Sequence, residues 1–319
     1  MKLLSPPPRL RTRRAILGSL LGSAAVVATW AQEYSTSLQI GRALLDVQFH
    51  SVGFDLSRDE IRAWVATCAR AVADYLGDFP VGQARIEINA SDRPRGVTGG
   101  RSWGYRGARC QVALGLRSTK EDLNRDWVLT HEMLHFAFPS MPRRNSWIEE
   151  GVSTYVEPIA RANAGLLSQE RVWKDMMRDM PQGLPKDDDE GLDNTHTWGR
   201  TYWGGAIFCL LADIRIRQAT NTRKGLPDAL RAINLAGGNI TTEWSLVETL
   251  KIADRAVGGN LLSDLYKAMG STPAGTPHRV DLPALWAELG VKVDGPRVAF
   301  DDRAPLASTR RAIAGPTFR

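Results

Sequence analysis

The stretch His131-Glu132-Met133-Leu134-His135 is the part of this 319-residue chain best suited to chemistry. In a helix, residues four apart share a face and lie one turn from each other. His131 and His135 can therefore offer two imidazoles to one metal ion, and the spacing suits Zn2+. Glu132 is rotated by one residue and reaches a water activated by that metal. Zinc lowers the pKa of such a water toward ~7, and a carboxylate can take its proton as the oxygen attacks a carbonyl. The motif uses two of only five histidines. The bland alternative is a surface helix with incidental histidines.

A catalytic zinc takes three protein ligands and keeps one position open. Candidates for the third lie in Ser146-Trp147-Ile148-Glu149-Glu150-Gly151-Val152-Ser153-Thr154-Tyr155. Neighbours on a helix point about 100° apart, so only one of the two glutamates should face the metal. Ser146 and Glu149 have the spacing of a capping box, which gives Glu149 a structural task. Glu150 is then the expected ligand, with Glu149 as the alternative.

The pairing of HExxH with a Glu-Gly on a second helix resembles the layout of the gluzincin metallopeptidases. Trp147-x-x-Glu150-Gly151-x-Ser153-x-Tyr155 is similar to the third-ligand helix of the glycyl and membrane alanyl aminopeptidase families. Thr201 to Arg215 is similar to the helix after the active site in the glycyl aminopeptidase family. That helix starts with a Tyr, then a Gly, and continues to a Leu-Asp-x-x-Ile-Arg-like end. The resemblance implies a zinc metallopeptidase in which Tyr202 donates a hydrogen bond to the developing oxyanion. A Tyr merely packed at a helix start is the alternative. In gluzincins the strand flanking the cleft binds substrate backbone by strand addition. The resemblance gives that role to the loop holding Gly99 and Gly100 and to the strand after it, with a solvent loop as the alternative.

The resemblance covers roughly residues 118–270 and has departures. Fourteen residues separate His135 from Glu150, fewer than in those families. Trp203-Gly204 stands where they often show a basic residue. About 100 residues precede the zinc helix after residue 31, too few for the large N-terminal domains of those aminopeptidases. Aminopeptidase specificity is therefore not carried over. Two other readings stay open: a zinc amidohydrolase acting on cell-wall or other non-protein amides, and a non-catalytic zinc-containing binding protein. An intact Glu132 argues against the second.

The elements that position these residues follow from periodicity. The zinc helix is expected over 119–138, started by a Ser118-x-x-Glu121 capping box and ended by Pro139. Trp127, Val128, Leu134 and Phe138 give it apolar surface. Other helices are expected at 58–76, 146–163, 167–179, 198–218, 225–235, 242–256 and 259–269. Residues 43–55 read as extended, and 84–89 and 109–116 as strands. Ser91 to Gly107, rich in Gly, Arg and Pro, reads as a loop, and so does the acidic stretch 180–197. Within the latter, Asp187 to Glu190 lacks the spacing of an EF-hand loop and reads as a solvated turn. His196 reads as an exposed loop residue, with a second oxyanion donor as the alternative. The expected fold class is α+β: a small N-terminal β-sheet layer with a helix, then a mostly helical gluzincin-like zinc catalytic domain. The expected divisions are an export signal at 1–31, an α/β subdomain at 32–117, a helical catalytic subdomain at 118–270 and a Pro-rich tail at 271–319. In the tail only a helix at 282–289 is expected.

Charge and cysteines bound the partners. Of the 41 Lys and Arg residues, five precede residue 32, where no acid stands. The remainder is near neutral, 36 basic against 35 acidic residues, so nucleic acid is not implied as a partner. A peptide or protein substrate is. Those basic residues lead into the apolar run Ala15 to Ala31, the layout of an export signal. Thr12-Arg13-Arg14-Ala15-Ile16-Leu17 resembles a twin-arginine signal. The expected location is therefore periplasmic or secreted. The apolar run is short of the ~20 residues a membrane span needs, and no later stretch suffices. Cys68 and Cys110 are the better candidates for a disulfide, with three buried free thiols as the equal alternative.

Overall fold

The computed structural model describes residues 35–273, 275–295 and 297–315, so the expected export segment lies outside them. Strands β1 (Ser35–Ile40), β2 (Ala43–Phe49), β3 (Gln83–Ala90), β4 (Val97–Trp103) and β5 (Ala108–Leu114) form one sheet in the order β1-β2-β3-β5-β4. Strands β2, β3 and β5 run parallel, and β4 lies antiparallel to β5 at the sheet edge. One face carries the alternating apolar residues Leu45, Val47, Ile86, Ile88, Cys110 and Val112, all buried.

Helix α1 (Arg58–Leu76) connects β2 to β3, as a parallel pair requires. Ser57 and Glu60 cap it reciprocally, and Gly77 ends it at φ 87°. Its stripe Ile61, Trp64, Val65, Cys68 and Val72 is buried in the same core as the inner face of the sheet. This matches the 3.6-residue period of the sequence.

Two elements differ from expectation. Residues 97–103 form strand β4 where a loop was expected. Its two glycines weaken the strand signal, yet Gly100 has a reason: a Cβ there would meet Glu132 Cγ at 2.6 Å and Val128 Cγ1 at 2.9 Å. The glycine lets the helix that carries Val128 and Glu132 lie against the strand. The expected helix 119–138 is also divided, into α2 (Lys120–Arg125) and α3 (Val128–Leu134), with a 3-10 turn over His135–Ala137. The first is capped by Thr119 and Asp122, not Ser118 and Glu121. Ser118 Oγ instead donates to the Gly115 carbonyl, 2.7 Å, and accepts from Gly96 N–H, 2.9 Å. The second is capped by Asp126, which accepts from Val128 N–H at 3.0 Å and Leu129 N–H at 3.1 Å. Burial lifts the Asp126 carboxyl to about 6 despite those bonds.

Helix α4 (Ser146–Asn163) and α5 (Gln169–Asp179) follow. A π-helical turn, Arg200–Gly204, leads into α6 (Gly205–Ala219). Helices α4 and α6 cross at a glycine pair. A Cβ on Gly205 would sit 2.2 Å from the Trp147 carbonyl oxygen and 2.7 Å from Gly151 Cα. A Cβ on Gly151 would sit 2.4 Å from the Gly205 carbonyl carbon. The obstacle is backbone on both sides, so Gly205→Ala should destabilise the fold by about 1–3 kcal/mol through overpacking. A melting curve tests this. An unchanged midpoint would mean that the crossing can open without cost.

Helices α7 (Leu226–Leu235), α8 (Leu246–Val257) and α9 (Leu261–Met269) lie close to their expected bounds. Residues 271–319 carry more structure than expected: α10 (Leu282–Leu289), the antiparallel pair β6 (Val291–Asp294) and β7 (Arg297–Phe300), and α11 (Ala307–Ala314). Trp286 and Ile313 are buried, and the Trp286 ring meets Trp173 of α5 edge-on at 6.3 Å. Arg310 ties α11 to the end of α10 through the Leu289 and Gly290 carbonyls, at 2.9 and 3.1 Å. Cys68, Cys110 and Cys209 are free, buried thiols, so Cys68 and Cys110 are not paired. Among the described residues no helix is long and apolar enough to cross a membrane.

Candidate metal centre

His131 on α3 and His135 on the 3-10 turn after it come to one side, and Glu150 reaches them from the first turns of α4. Their ligand atoms all lie within 4.8 Å of one another. Glu150 Oε2 stands 3.3 Å from His131 Nε2 and 3.6 Å from His135 Nε2. Burial, with the nearby His131, drops His135 to about 4, so its imidazole is neutral and offers a lone pair. Burial acts to raise Glu150, but the His131 hydrogen bond and the charges of both histidines hold it below the usual carboxylate range. Two imidazoles and an ionised carboxylate form a donor set that fits zinc.

Glu149 points elsewhere, though not because it caps the helix. Ser146 is the first residue of α4, and its Oγ donates to the Arg143 carbonyl at 2.9 Å. Glu149 lines the cleft beside the triad. Burial pushes its carboxyl up to about 8, against a lowering hydrogen bond from the Met141 backbone.

Glu132 is buried between the triad and β4, and burial raises its carboxyl. Sequence reading did not find its partner. Ser102 Oγ lies 2.9 Å from Glu132 Oε2 and 2.8 Å from the Glu132 carbonyl oxygen. A serine inside an apparent loop gave no signal. Tyr202 stacks on His131, with ring centroids 6.3 Å apart and planes at 19°. Burial, with the nearby Glu150 charge, pushes its phenol up to about 12. It is therefore a proton donor at neutral pH. The cleft around these groups is about 710 Å³. Gly100 lines it; Gly99, on the same strand, is not among the lining residues, and neither is His196, an exposed residue of the loop before Tyr202.

Asp193 fixes the start of α4 and was also missed. It is buried and accepts from Asn145 Nδ2 at 2.7 Å, Trp147 Nε1 at 2.9 Å, Arg144 at 2.9 Å and the Tyr266 phenol at 2.7 Å. Its neighbour Asp189 is the exception in the solvated acidic turn expected over Asp187 to Glu190, whose other three residues are exposed. It is buried and paired with Arg200 at 2.7 Å, just before Tyr202. The acidic loop thus holds the starts of both α4 and the Tyr202 segment.

No protein-family model matches the chain, and no curated protein sequence matches it. Solved structures do. An aminopeptidase N family protein from Idiomarina loihiensis superposes with a TM-score of 0.61 at 12% identity, over 82% of this chain and 49% of that one. The fold resembles the M1 metallopeptidase catalytic domain. A variant of a two-domain M1 zinc metallopeptidase bound to L-arginine superposes with a TM-score of 0.50 at 16% identity, over 76% of this chain and 53% of that one. This chain thus spans about half the length of the structures it matches. Against an M1-like fold the expected class holds: a mixed five-stranded sheet followed by a mainly helical region.

Proposed function

We propose that this chain is a zinc-dependent peptidase that hydrolyses peptide bonds in a peptide or protein substrate. The observation that carries this reading is the convergence of His131, His135 and Glu150 beside a Glu132 held at the edge strand. His131, His135 and Glu150 would hold a zinc ion, which would supply Lewis acidity and lower the pKa of a water beside it. Glu132 takes the water proton and passes it to the leaving amine. Its burial raises its proton affinity toward what a general base at neutral pH needs. Ser102 keeps one carboxylate oxygen in place during that exchange. The outer edge of β4 offers unpaired N–H and C=O groups along the cleft, to which an extended substrate can add as a further strand. Gly100 belongs to that edge.

Tyr202 donates its phenol proton as a hydrogen bond to the carbonyl oxygen while negative charge develops there. Tyr202→Phe should therefore lower kcat by ~10²–10³, the scale of one lost oxyanion donor, with bound zinc unchanged. A rise in KM with kcat unchanged would remove the phenol from the chemistry. The reading as a whole is tested by measuring stoichiometric zinc in the purified protein and its action on mixed peptides. Bound zinc with no peptide cut would favour hydrolysis of other amides. No bound zinc would overturn the reading.

A further inference from the structure

We propose that Trp127 and Trp198 extend the cleft as an aromatic wall that receives an aromatic or large aliphatic side chain of an extended peptide. The proposal rests on the peptidase reading and names its substrate class. Three aromatic side chains among the described residues are largely exposed: Tyr105 at 73%, Trp127 at 53% and Trp198 at 60%. All three adjoin the one cleft. Tyr105 lines it. Trp127 meets the His131 ring edge-on at 5.6 Å. Trp198 stacks on Tyr202 at 5.5 Å with planes at 26°, and Tyr202 in turn stacks on His131.

The spacing explains the arrangement. Trp127, His131 and His135 are successive fourth residues, so they form one stripe whose inner members are metal-site imidazoles. Trp198 stands four before Tyr202 at the start of its helical run. Each indole therefore lies one turn outward from a residue of the site. A continuous surface results, Trp127–His131–Tyr202–Trp198, running from the triad to solvent.

A single exposed apolar side chain needs no explanation, but a cluster around one cleft does. Indoles that served only to pack the imidazole and the phenol would be covered, and both are more than half exposed. What they lack is a flat apolar group on their open faces. The neighbouring edge of β4 determines what carries that group. An extended chain paired there projects alternate side chains toward each face. Those turned to the zinc helix meet the wall. A glycan also stacks on indoles, but it has no backbone to pair with a strand.

The test uses the zinc-loaded full chain bearing Glu132→Gln, so that binding is read without turnover. Fluorescence anisotropy follows labelled hexapeptides that differ at one position, Phe against Ala. The Phe peptides should bind more tightly in at least one register. Trp198→Ala should then weaken the Phe peptide about tenfold and the Ala peptide hardly at all. Trp127→Ala should act in the same direction, with zinc content confirming an intact triad. Equal losses for both peptides, no preference for Phe, or capture of a chitin-type oligosaccharide in place of peptides would overturn the proposal. If wild-type protein cuts no peptide while the Trp-dependent preference persists, the wall stands and the peptidase reading falls.

Discussion

Glu132→Gln should abolish peptide hydrolysis while the protein keeps its zinc and its fold. An amide cannot take the water proton, and the loss of a positioned general base costs on the order of 10³ in rate. The substitution is close to isosteric, and Ser102 Oγ can bond either end of the amide in place of the carboxylate. The position is buried, and burial raises the carboxyl of Glu132. For a carboxyl whose folded pKa lies above its unfolded value, stability falls as pH rises through the unfolded value, because the folded state disfavours the charge. Near neutral pH the metal-free Gln variant should then melt no lower than the wild type. A variant that melts normally, holds one zinc and is inactive places Glu132 in the chemistry. If it retained more than about a tenth of the rate, far above the expected loss, the base would lie elsewhere.

Local patterns were legible in the sequence, and pairings across the fold were not. Helix α1 announced both ends, because Ser57 with Glu60 and Gly77 are local signals and its apolar stripe has the right period. Strand β4 did not, because Val97-Thr98-Gly99-Gly100-Arg101-Ser102-Trp103 has no apolar alternation. Its shape answers to Glu132 and Val128, about thirty residues away. The break at Asp126 was hidden because a carboxylate serves equally on a helix surface or as a cap, and only burial decides between them. Asp189 and Asp193 lay in a run of acids and glycines that composition marks as solvated. Both are buried, because Arg200 and the start of α4 supply the donors. The structure brings Glu150 rather than Glu149 to the histidines. The capping argument for that choice failed, since Ser146 bonds Arg143 instead. What survives is the helical rotation, which lets one glutamate of an adjacent pair face the triad while the other lines the cleft.

That distinction sets a second large effect. Glu150→Ala should cost zinc affinity more than the ~10–100-fold typical of residues that only support a ligand. Glu150 Oε2 stands 3.3 and 3.6 Å from the two histidine nitrogens, so its removal leaves two imidazoles and no carboxylate in the three-residue group. Glu149→Gln should leave zinc affinity nearly unchanged. Its carboxylate is not among the three groups whose ligand atoms lie within 4.8 Å of one another. A competing chelator reads both affinities without reference to turnover. If Glu149→Gln released zinc and Glu150→Ala held it, the ligand set would be reassigned to Glu149. The cleft would then need a different account of the carboxylate between the two histidines. Glu150→Gln separates charge from geometry: the amide oxygen can still reach the metal but brings no negative charge. Zinc affinity for that variant should therefore fall between those of the wild type and Glu150→Ala, since an ionised oxygen is the stronger donor to a divalent cation.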